Sequence, residues 1–312
     1  MRQRLILHIG THKTGSTSIQ NYLYYNRLWL RSLGVYYPLP LNGSLFYANN
    51  HSDLRDTALS EGKPRGAEIH PRFGRHDALL GRYIRAIKEV GKPVNILSAE
   101  GWSSHLNRYA RRLAPLSQHF DVKVIAFMRR PDYWIEKFYS QRIANFEHAE
   151  TRRFSAFLDQ AHIETYLYNR HRMFGWWAKA FGVENVTVVP YEPAVQGVDL
   201  IEYFLREAEV DSGLAGRLFL RQAHANRTLS ARNAEVLRQR FEEGSKVDQR
   251  LVRALKRDQE GSGCFLGEGE RSEILKRAES DLARICEDYV RDGREELFPA
   301  NPEEVRTLEK CG

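Results

Sequence analysis

The sequence predicts an α/β fold in which a parallel sheet is flanked by helices. Four short segments are almost continuously apolar, as expected of strands covered on both faces; they are residues 5–9, 94–97, 122–127 and 186–189. Helical patterns alternate with them, at residues 17–33, 78–90, 131–145 and 166–181. A loop rich in glycine and threonine directly follows the first strand. This alternation of strands and helices is typical of a parallel sheet.

The chain has 312 residues and a net charge of +7. This length fits one large domain over residues 1–312, with a core at about 4–230 and a charged, helical C-terminal part at about 229–312. The positive charge predicts an anionic partner. Because basic and acidic residues are interspersed, no arm for binding nucleic acid is indicated.

The cysteines and the hydropathy of the chain indicate where in the cell we expect the protein. The three cysteines, Cys264, Cys286 and Cys311, form no C-x-x-C pair, which disfavours a disulfide framework or a zinc site. No apolar run approaches the length of a membrane span. We therefore expect a cytoplasmic protein without an integral membrane segment.

Ligands of parallel sheets bind beyond the carboxyl ends of the strands. We therefore expect functional residues directly after positions 9, 97, 127 and 189. The polar segment at residues 39–75 is predicted to be a long irregular connection, and such connections are often functional.

The most informative segment is the loop that follows the first strand and opens a helix. It consists of Gly10, Thr11, His12, Lys13, Thr14, Gly15, Ser16 and Thr17. Glycines allow the backbone to turn tightly and to present N–H groups to a phosphate. The helix N-terminus adds its dipole and further N–H donors, and the lysine and hydroxyl side chains can donate as well. The segment predicts a site for a nucleotide phosphate.

This loop differs from the P-loop of nucleotide hydrolases. Ser16 stands where the Walker lysine would be, and the lysine, Lys13, lies three residues earlier. No predicted strand ends in an acidic residue that would hold magnesium. We therefore expect phosphate binding without a metal. A metal-dependent P-loop kinase or NTPase is one alternative, and a non-enzymatic polyanion-binding protein, suggested by the net charge alone, is another.

Residues 8–20 resemble the 5′-phosphosulfate loop of sulfotransferases that use 3′-phosphoadenosine 5′-phosphosulfate (PAPS), and they are most similar to the bacterial, carbohydrate-type branch. The resemblance extends over residues 4–230 and implies the P-loop-like, nucleotide-binding sulfotransferase fold. It also implies PAPS as co-substrate, 3′-phosphoadenosine 5′-phosphate (PAP) as product, and a small molecule or glycan as acceptor. In that family the loop lysine contacts the bridging oxygen between phosphate and sulfate, and Lys13 matches it.

A second anion-binding motif follows the third predicted strand. Arg129 and Arg130 stand at its end, where arginines can make charge-assisted bonds to a phosphate, and Pro131 suits the first turn of the next helix. The stretch resembles the family's 3′-phosphate site, where a serine follows the arginine by eight residues. Lys137 occupies that position here, and Ser140 lies three residues further along the helix. Either side chain is a candidate partner of Arg129, and pairing of both arginines with neighbouring acids is the structural alternative.

Residues nearer the C-terminus extend the resemblance. Residues 181–192 resemble a later core strand of the family, and residues 225–230 resemble a polar loop that precedes a C-terminal helix in bacterial relatives. Arg221 and Arg227 are therefore candidates to close over the cofactor. An ordinary surface position is an equally good interpretation of both.

An acceptor hydroxyl loses its proton as it attacks sulfur, so the reaction needs a base. In the resembled family this residue is usually a histidine or glutamate. Glu100 is the first candidate, because it follows the second predicted strand at the carboxyl edge of the sheet. His51, in the long connection, is the second candidate, and His12 is expected to shape the loop or contact the sulfate.

Overall fold

The computed structural model describes residues 2–41, 49–60, 75–104, 107–145, 149–192, 199–210, 229–258 and 264–298. The described residues form two compact units, each made from segments that are separate in sequence. The first unit contains described residues from 1–128, 171–224 and 285–295, and the second contains described residues from 129–170, 225–284 and 296–312. A single domain over the whole chain stays a prediction.

The first unit is built on a five-stranded parallel sheet with the order β2-β3-β1-β4-β5. Its strands are β1 (Arg4–His8), β2 (Val35–Tyr36), β3 (Val94–Ser98), β4 (Asp121–Met128) and β5 (Val186–Pro190). Four of these strands match the predicted apolar runs, and the parallel sheet with flanking helices confirms the predicted fold class. Strand β2 was not predicted, because two residues are too few to produce a periodic pattern.

Thirteen α-helices occur among the described residues, and we number them in chain order. They are α1 (Ser16–Tyr25), α2 (Arg27–Ser32), α3 (Ser52–Ser60), α4 (His76–Val90), α5 (Arg108–Leu113), α6 (Pro131–Ile143), α7 (Phe154–Leu158), α8 (Ala161–Tyr168), α9 (Arg170–Phe181), α10 (Leu200–Glu207), α11 (Ala231–Glu242), α12 (Gln249–Arg257) and α13 (Glu268–Tyr289). The last three confirm the predicted helical character of the C-terminal part. Over the ranges that are described, no helix is both long and apolar enough to cross a membrane.

The structure differs from the predicted helices and loops in three places. The helix expected at residues 17–33 breaks at Asn26, whose φ is −100° and whose side chain donates to the Tyr22 carbonyl at 2.9 Å. The helix expected at 166–181 breaks at Asn169, which has φ −136° and ψ 35°. Residues 39–75 were expected to be irregular, but they include α3. Asparagine side chains can compete with the hydrogen bonds of a helix. The apolar pattern continues across both breaks, so it did not reveal them.

The apolar core of the first unit packs α1 and α10 against the sheet. Its fully buried members include, from sheet and helices, Ile6, Ile19, Leu23, Ile96, Ile125, Phe127, Phe204 and Leu205. Complete burial of such a side chain contributes about 1.5–3 kcal/mol. This packing holds the start of α1, and with it the preceding loop, at the carboxyl end of β1.

The second unit is helical and has its own core. Buried members from several helices are Trp134, Ile135, Tyr139, Phe157, Ile163, Leu237 and Ile274. Glu136 is a buried carboxylate in this unit, and its Oε1 atom accepts the N–H groups of Phe265 at 2.7 Å and Leu266 at 3.0 Å. Its Oε2 atom accepts from Arg271 at 2.8 Å. The buried charge is thus paired and hydrogen-bonded, as burial of a charge requires.

Candidate active site at the β1–α1 loop

The loop between β1 and α1 folds into a concave turn. Gly10, Lys13 and Gly15 have positive φ angles of 46°, 67° and 73°. Left-handed residues of this kind can direct backbone N–H groups toward one side, which creates an anion-binding concavity. Lys13 carries a Cβ atom, so its conformation costs about 1–3 kcal/mol and persists only because the surroundings enforce it. The strained residue is the lysine that the family resemblance matches to a contact with the phosphosulfate.

Both glycines of the loop have close neighbours where a Cβ atom would lie. A Cβ atom at Gly10 would collide with Ser16 Oγ and would lie 3.2 Å from Glu100 Cα. A Cβ atom at Gly15 would collide with Leu200 of α10 and would lie 3.3 Å from a ring carbon of Tyr191. The loop is therefore pressed against residues that follow β3 and β5, at the edge where ligands of parallel sheets bind.

The hydroxyl groups of the loop divide into two kinds. Thr11 Oγ1 donates to the Phe127 carbonyl and Thr14 Oγ1 donates to the Thr11 carbonyl, both at 2.6 Å, and both side chains are buried. These two hydroxyls are bonded to backbone carbonyls and stabilise the loop, so they are not available as donors to an anion. Ser16 Oγ is buried, with no hydrogen-bond partner among the described residues, and Thr17 is exposed.

The N-terminus of α1 adds backbone donors to the loop. Gly15 is its N-cap, and no side chain in the described parts of the chain caps it, although the first N–H groups of a helix have no partner within the helix. Together with Ser16 Oγ, these groups provide the donors that a phosphate needs. The loop therefore has the donors of a phosphate-binding site, and its assignment to a nucleotide stays a prediction.

Glu100 follows β3 and faces the loop. Its Oε1 atom lies 3.6 Å from His12 Nδ1, and its side chain is 32% exposed. Burial raises the pKa of Glu100, but the facing His12 ring, the Lys13 charge and a hydrogen bond from the Lys13 backbone N–H outweigh burial and hold that pKa below its ordinary value. The carboxylate is therefore ionised at neutral pH and lies beside the loop.

His51 is a buried link between β3 and the preceding connection. Its Nδ1 atom accepts the Ser98 N–H at 2.9 Å, and its Nε2 atom lies 3.1 Å from the Pro38 carbonyl. Burial lowers the pKa of His51 to about 4, although the backbone contacts oppose the change. Because both ring nitrogens are bonded to the backbone, these contacts favour a structural role over proton transfer.

His8, a buried polar residue at the end of β1, was not predicted as a site residue. His8 Nδ1 lies 2.8 Å from Ser98 Oγ, which also accepts from Gln20 Nε2 at 3.0 Å. Burial lowers the pKa of His8 to about 4, and the nearby Glu100 charge partly opposes this. The His8 Nε2 atom is buried and has no hydrogen-bond partner in the parts of the chain that are described. A polar residue within an apolar strand was the signal that could have identified it.

The second predicted motif lies in the second unit. Arg130 is bonded to Asp132 through two contacts of 2.8 Å, and its guanidinium lies 4.4 Å from the ring centre of Tyr133. This pairing is the structural alternative considered for the motif, and it accounts for Arg130. The Arg129 carbonyl accepts from Arg170 Nη1 at 3.2 Å.

Lys137 and Ser140 differ in their surroundings. The half-buried Lys137 is near enough to Arg129 for their charges to interact: burial lowers the pKa of Lys137, and the Arg129 charge lowers it further. Ser140 Oγ is buried and donates to the Glu136 carbonyl of its own helix at 3.1 Å. Arg221 and Arg227 lie outside the described residues.

Comparison with solved structures gives distant likenesses. A sulfotransferase from Alicyclobacillus acidocaldarius matches 92% of this chain and 96% of its own, with 14% identity and a TM-score of 0.49. The sulfotransferase domain from the curacin biosynthetic pathway matches 99% and 97%, at 12% identity and a TM-score of 0.39. Mouse sulfotransferase SULT7A1 complexed with PAP matches 99% and 82%, at 11% identity and a TM-score of 0.35.

No protein-family profile matches the chain, and no curated protein matches it. At such low identity and structural overlap, the likenesses assign no function to this chain. The functional assignment depends on the residues of the loop and of the adjoining strand ends.

Proposed function

We propose that this protein is a sulfotransferase that transfers the sulfuryl group of PAPS to a hydroxyl or amine. The observation that carries this proposal is the β1–α1 loop, whose lysine lies within the concave turn and not in the first turn of the helix. A cation there faces the phosphate side of the bound anion, while Glu100 supplies a carboxylate at the rim. A phosphate cradle with a cation and a nearby base is what sulfuryl transfer requires.

In the proposed reaction the acceptor oxygen or nitrogen attacks sulfur in line with the leaving oxygen. A new bond to sulfur forms as the bond between sulfur and the 5′-phosphate oxygen breaks, and PAP leaves with that electron pair. Lys13 stabilises the charge that develops on the leaving oxygen. Glu100 accepts the acceptor's proton. Because His51 has both nitrogens bonded to the backbone, Glu100 is the base that we propose.

The 3′-phosphate is proposed to bind Arg129, with Lys137 as the second cation. Two observations within the second unit support this choice. Lys137 interacts with the Arg129 charge, whereas the Ser140 hydroxyl is bonded to its own helix. Arg227 stays a candidate on the basis of sequence alone.

The acceptor is proposed to be a carbohydrate or glycolipid, and the protein is proposed to be cytoplasmic. Both proposals come from the sequence. Activity on a panel of glycans and lipids tests the proposed acceptor.

Calorimetric titration with PAP tests the proposal directly. We expect PAP to bind with the same affinity with and without magnesium, because the proposed binding of its phosphates involves no metal. ATP is expected to bind more weakly, since it has no 3′-phosphate. If ATP with magnesium binds and PAP does not, the protein is instead a metal-dependent P-loop kinase or NTPase.

Arg129→Ala is expected to weaken PAP binding by about 1.5–3 kcal/mol, as for other hydrogen bonds to charged groups. Binding of adenosine 5′-phosphosulfate, which has no 3′-phosphate, should change much less. Lys137→Ala should likewise weaken the binding of PAP more than the binding of adenosine 5′-phosphosulfate. Ser140→Ala is the matched control and should bind both ligands like the wild type. Equal weakening of both ligands by Arg129→Ala would remove Arg129 from the 3′-phosphate site.

A further inference from the structure

Glu100 has contacts that conflict with its role as a base that is ready to act. Its Oε1 atom lies 3.6 Å from His12 Nδ1, and its side chain is close enough to Lys13 for the Lys13 charge and backbone N–H to lower its pKa. Both groups belong to the loop that is proposed to bind the 5′-phosphate. The carboxylate therefore lies beside groups that an incoming phosphate would also approach.

The backbone geometry limits how this conflict can be resolved. The Cα atom of Glu100 would lie only 3.2 Å from a Cβ atom at Gly10, so the backbone after β3 is pressed against the loop. The Glu100 side chain is 32% exposed, so it can rotate toward solvent without any movement of the sheet. Displacement of the side chain alone would remove the carboxylate from the loop.

We propose that Glu100 acts as an internal anion that occupies the donors of the phosphate loop in the empty protein, and that binding of the phosphosulfate displaces it and frees it to act as the base. This inference rests on the proposed function. The carboxylate mimics the charge of the absent phosphate, which keeps the strained Lys13 backbone ordered. The base becomes available only when the sulfuryl donor is in place.

The charged and titratable groups around Glu100 determine the direction of this change. Lys13 and His12 face it from the loop, His8 interacts with it from β1, and Arg55 of α3 lies against the neighbouring Gly101. When a phosphosulfate takes the loop donors, Glu100 loses the Lys13 N–H and gains a negatively charged neighbour. Both changes raise the proton affinity of a carboxylate. Binding of the donor therefore strengthens the base.

Titrations with PAP and with inorganic pyrophosphate test this competition. We expect Glu100→Gln and Glu100→Ala to bind both ligands about tenfold more tightly than the wild type, because a charge-assisted contact of the empty loop no longer has to be broken. Glu89→Gln is the matched control, since it removes one exposed carboxylate from α4 of the same unit. Its affinities should equal those of the wild type, and thermal unfolding should show that all variants are folded.

The two ligands separate this inference from the proposed function. Tighter pyrophosphate binding by the Glu100 variants, without any PAP binding, would support the internal anion and overturn the proposed function. PAP affinity that is unchanged or weaker in both Glu100 variants would overturn the internal anion and leave the proposed function intact. If no variant binds either ligand, both are wrong.

The pH dependence of kcat and that of kcat/KM for PAPS supply a second test, on the acid side of each profile. A base must be deprotonated, so activity falls as the pH drops through its pKa. In the empty protein the pKa of Glu100 lies below its ordinary value of 4.5, and kcat/KM for PAPS reports this state, whereas kcat reports the complex. We expect the acid limb of kcat to lie at higher pH than that of kcat/KM. Coincident limbs would contradict the displacement.

Discussion

Lys13→Ala is expected to lower kcat by about a hundredfold or more, as removal of a donor to a developing oxyanion does in other enzymes. Negative charge builds on the oxygen between sulfur and the 5′-phosphate as the bond to sulfur breaks. A cation held beside that oxygen interacts more strongly with the transition state than with the ground state. PAP affinity, measured by calorimetry, should change much less than kcat.

The substitution is informative because it changes the charge and little else. Lys13 has a φ of 67°, and alanine also has a Cβ atom, so the backbone strain is similar in both proteins. Lys88→Ala, which removes an exposed lysine from α4, is the matched control and should keep full activity. A large loss of PAP affinity with an unchanged kcat would show that Lys13 contributes to binding alone.

The strands of the first unit were predictable because each is a short run of side chains with one simple requirement, burial on both faces. Leu5, Ile6 and Leu7 are fully buried, and so are Val124 and Ile125. The two-residue β2 leaves no such signal. The breaks at Asn26 and Asn169 were missed because each depends on one asparagine and its local backbone, whereas the apolar residues on both sides continue a helical pattern.

The candidate site was predictable in its composition but not in its contacts. The glycines and the lysine of the loop, and the position of Glu100 after a strand, follow from local sequence. The proximity of Lys13 to Glu100 depends on the parallel pairing of β1 with β3, which brings together two residues that are far apart in the sequence. His51 shows the same limit: a histidine in a polar connection suggests a solvated side chain, yet it is buried and bonded to Ser98.

Glu100→Gln is expected to lower turnover by roughly a hundredfold to ten-thousandfold, the range typical of a lost general base. Glutamine keeps the size and polarity of the side chain but cannot take the proton of an acceptor hydroxyl. PAP should still bind at least as tightly as it binds the wild type, so the loss should appear in kcat at saturating PAPS. Glu89→Gln again serves as the charge-matched control and should turn over normally.

His51→Gln distinguishes the two candidate bases better than a truncation does. Alanine at residue 51 would leave the Ser98 N–H and the Pro38 carbonyl without their partner, and each buried, unsatisfied group costs about 1–3 kcal/mol. Inactivity of such a variant could therefore reflect unfolding. Glutamine can accept from one backbone group and donate to the other, so His51→Gln should retain most of the activity if His51 is structural. A folded, inactive His51→Gln beside an active Glu100→Gln would transfer the role of the base to His51, and the acceptor would then bind beside the connection that follows β2.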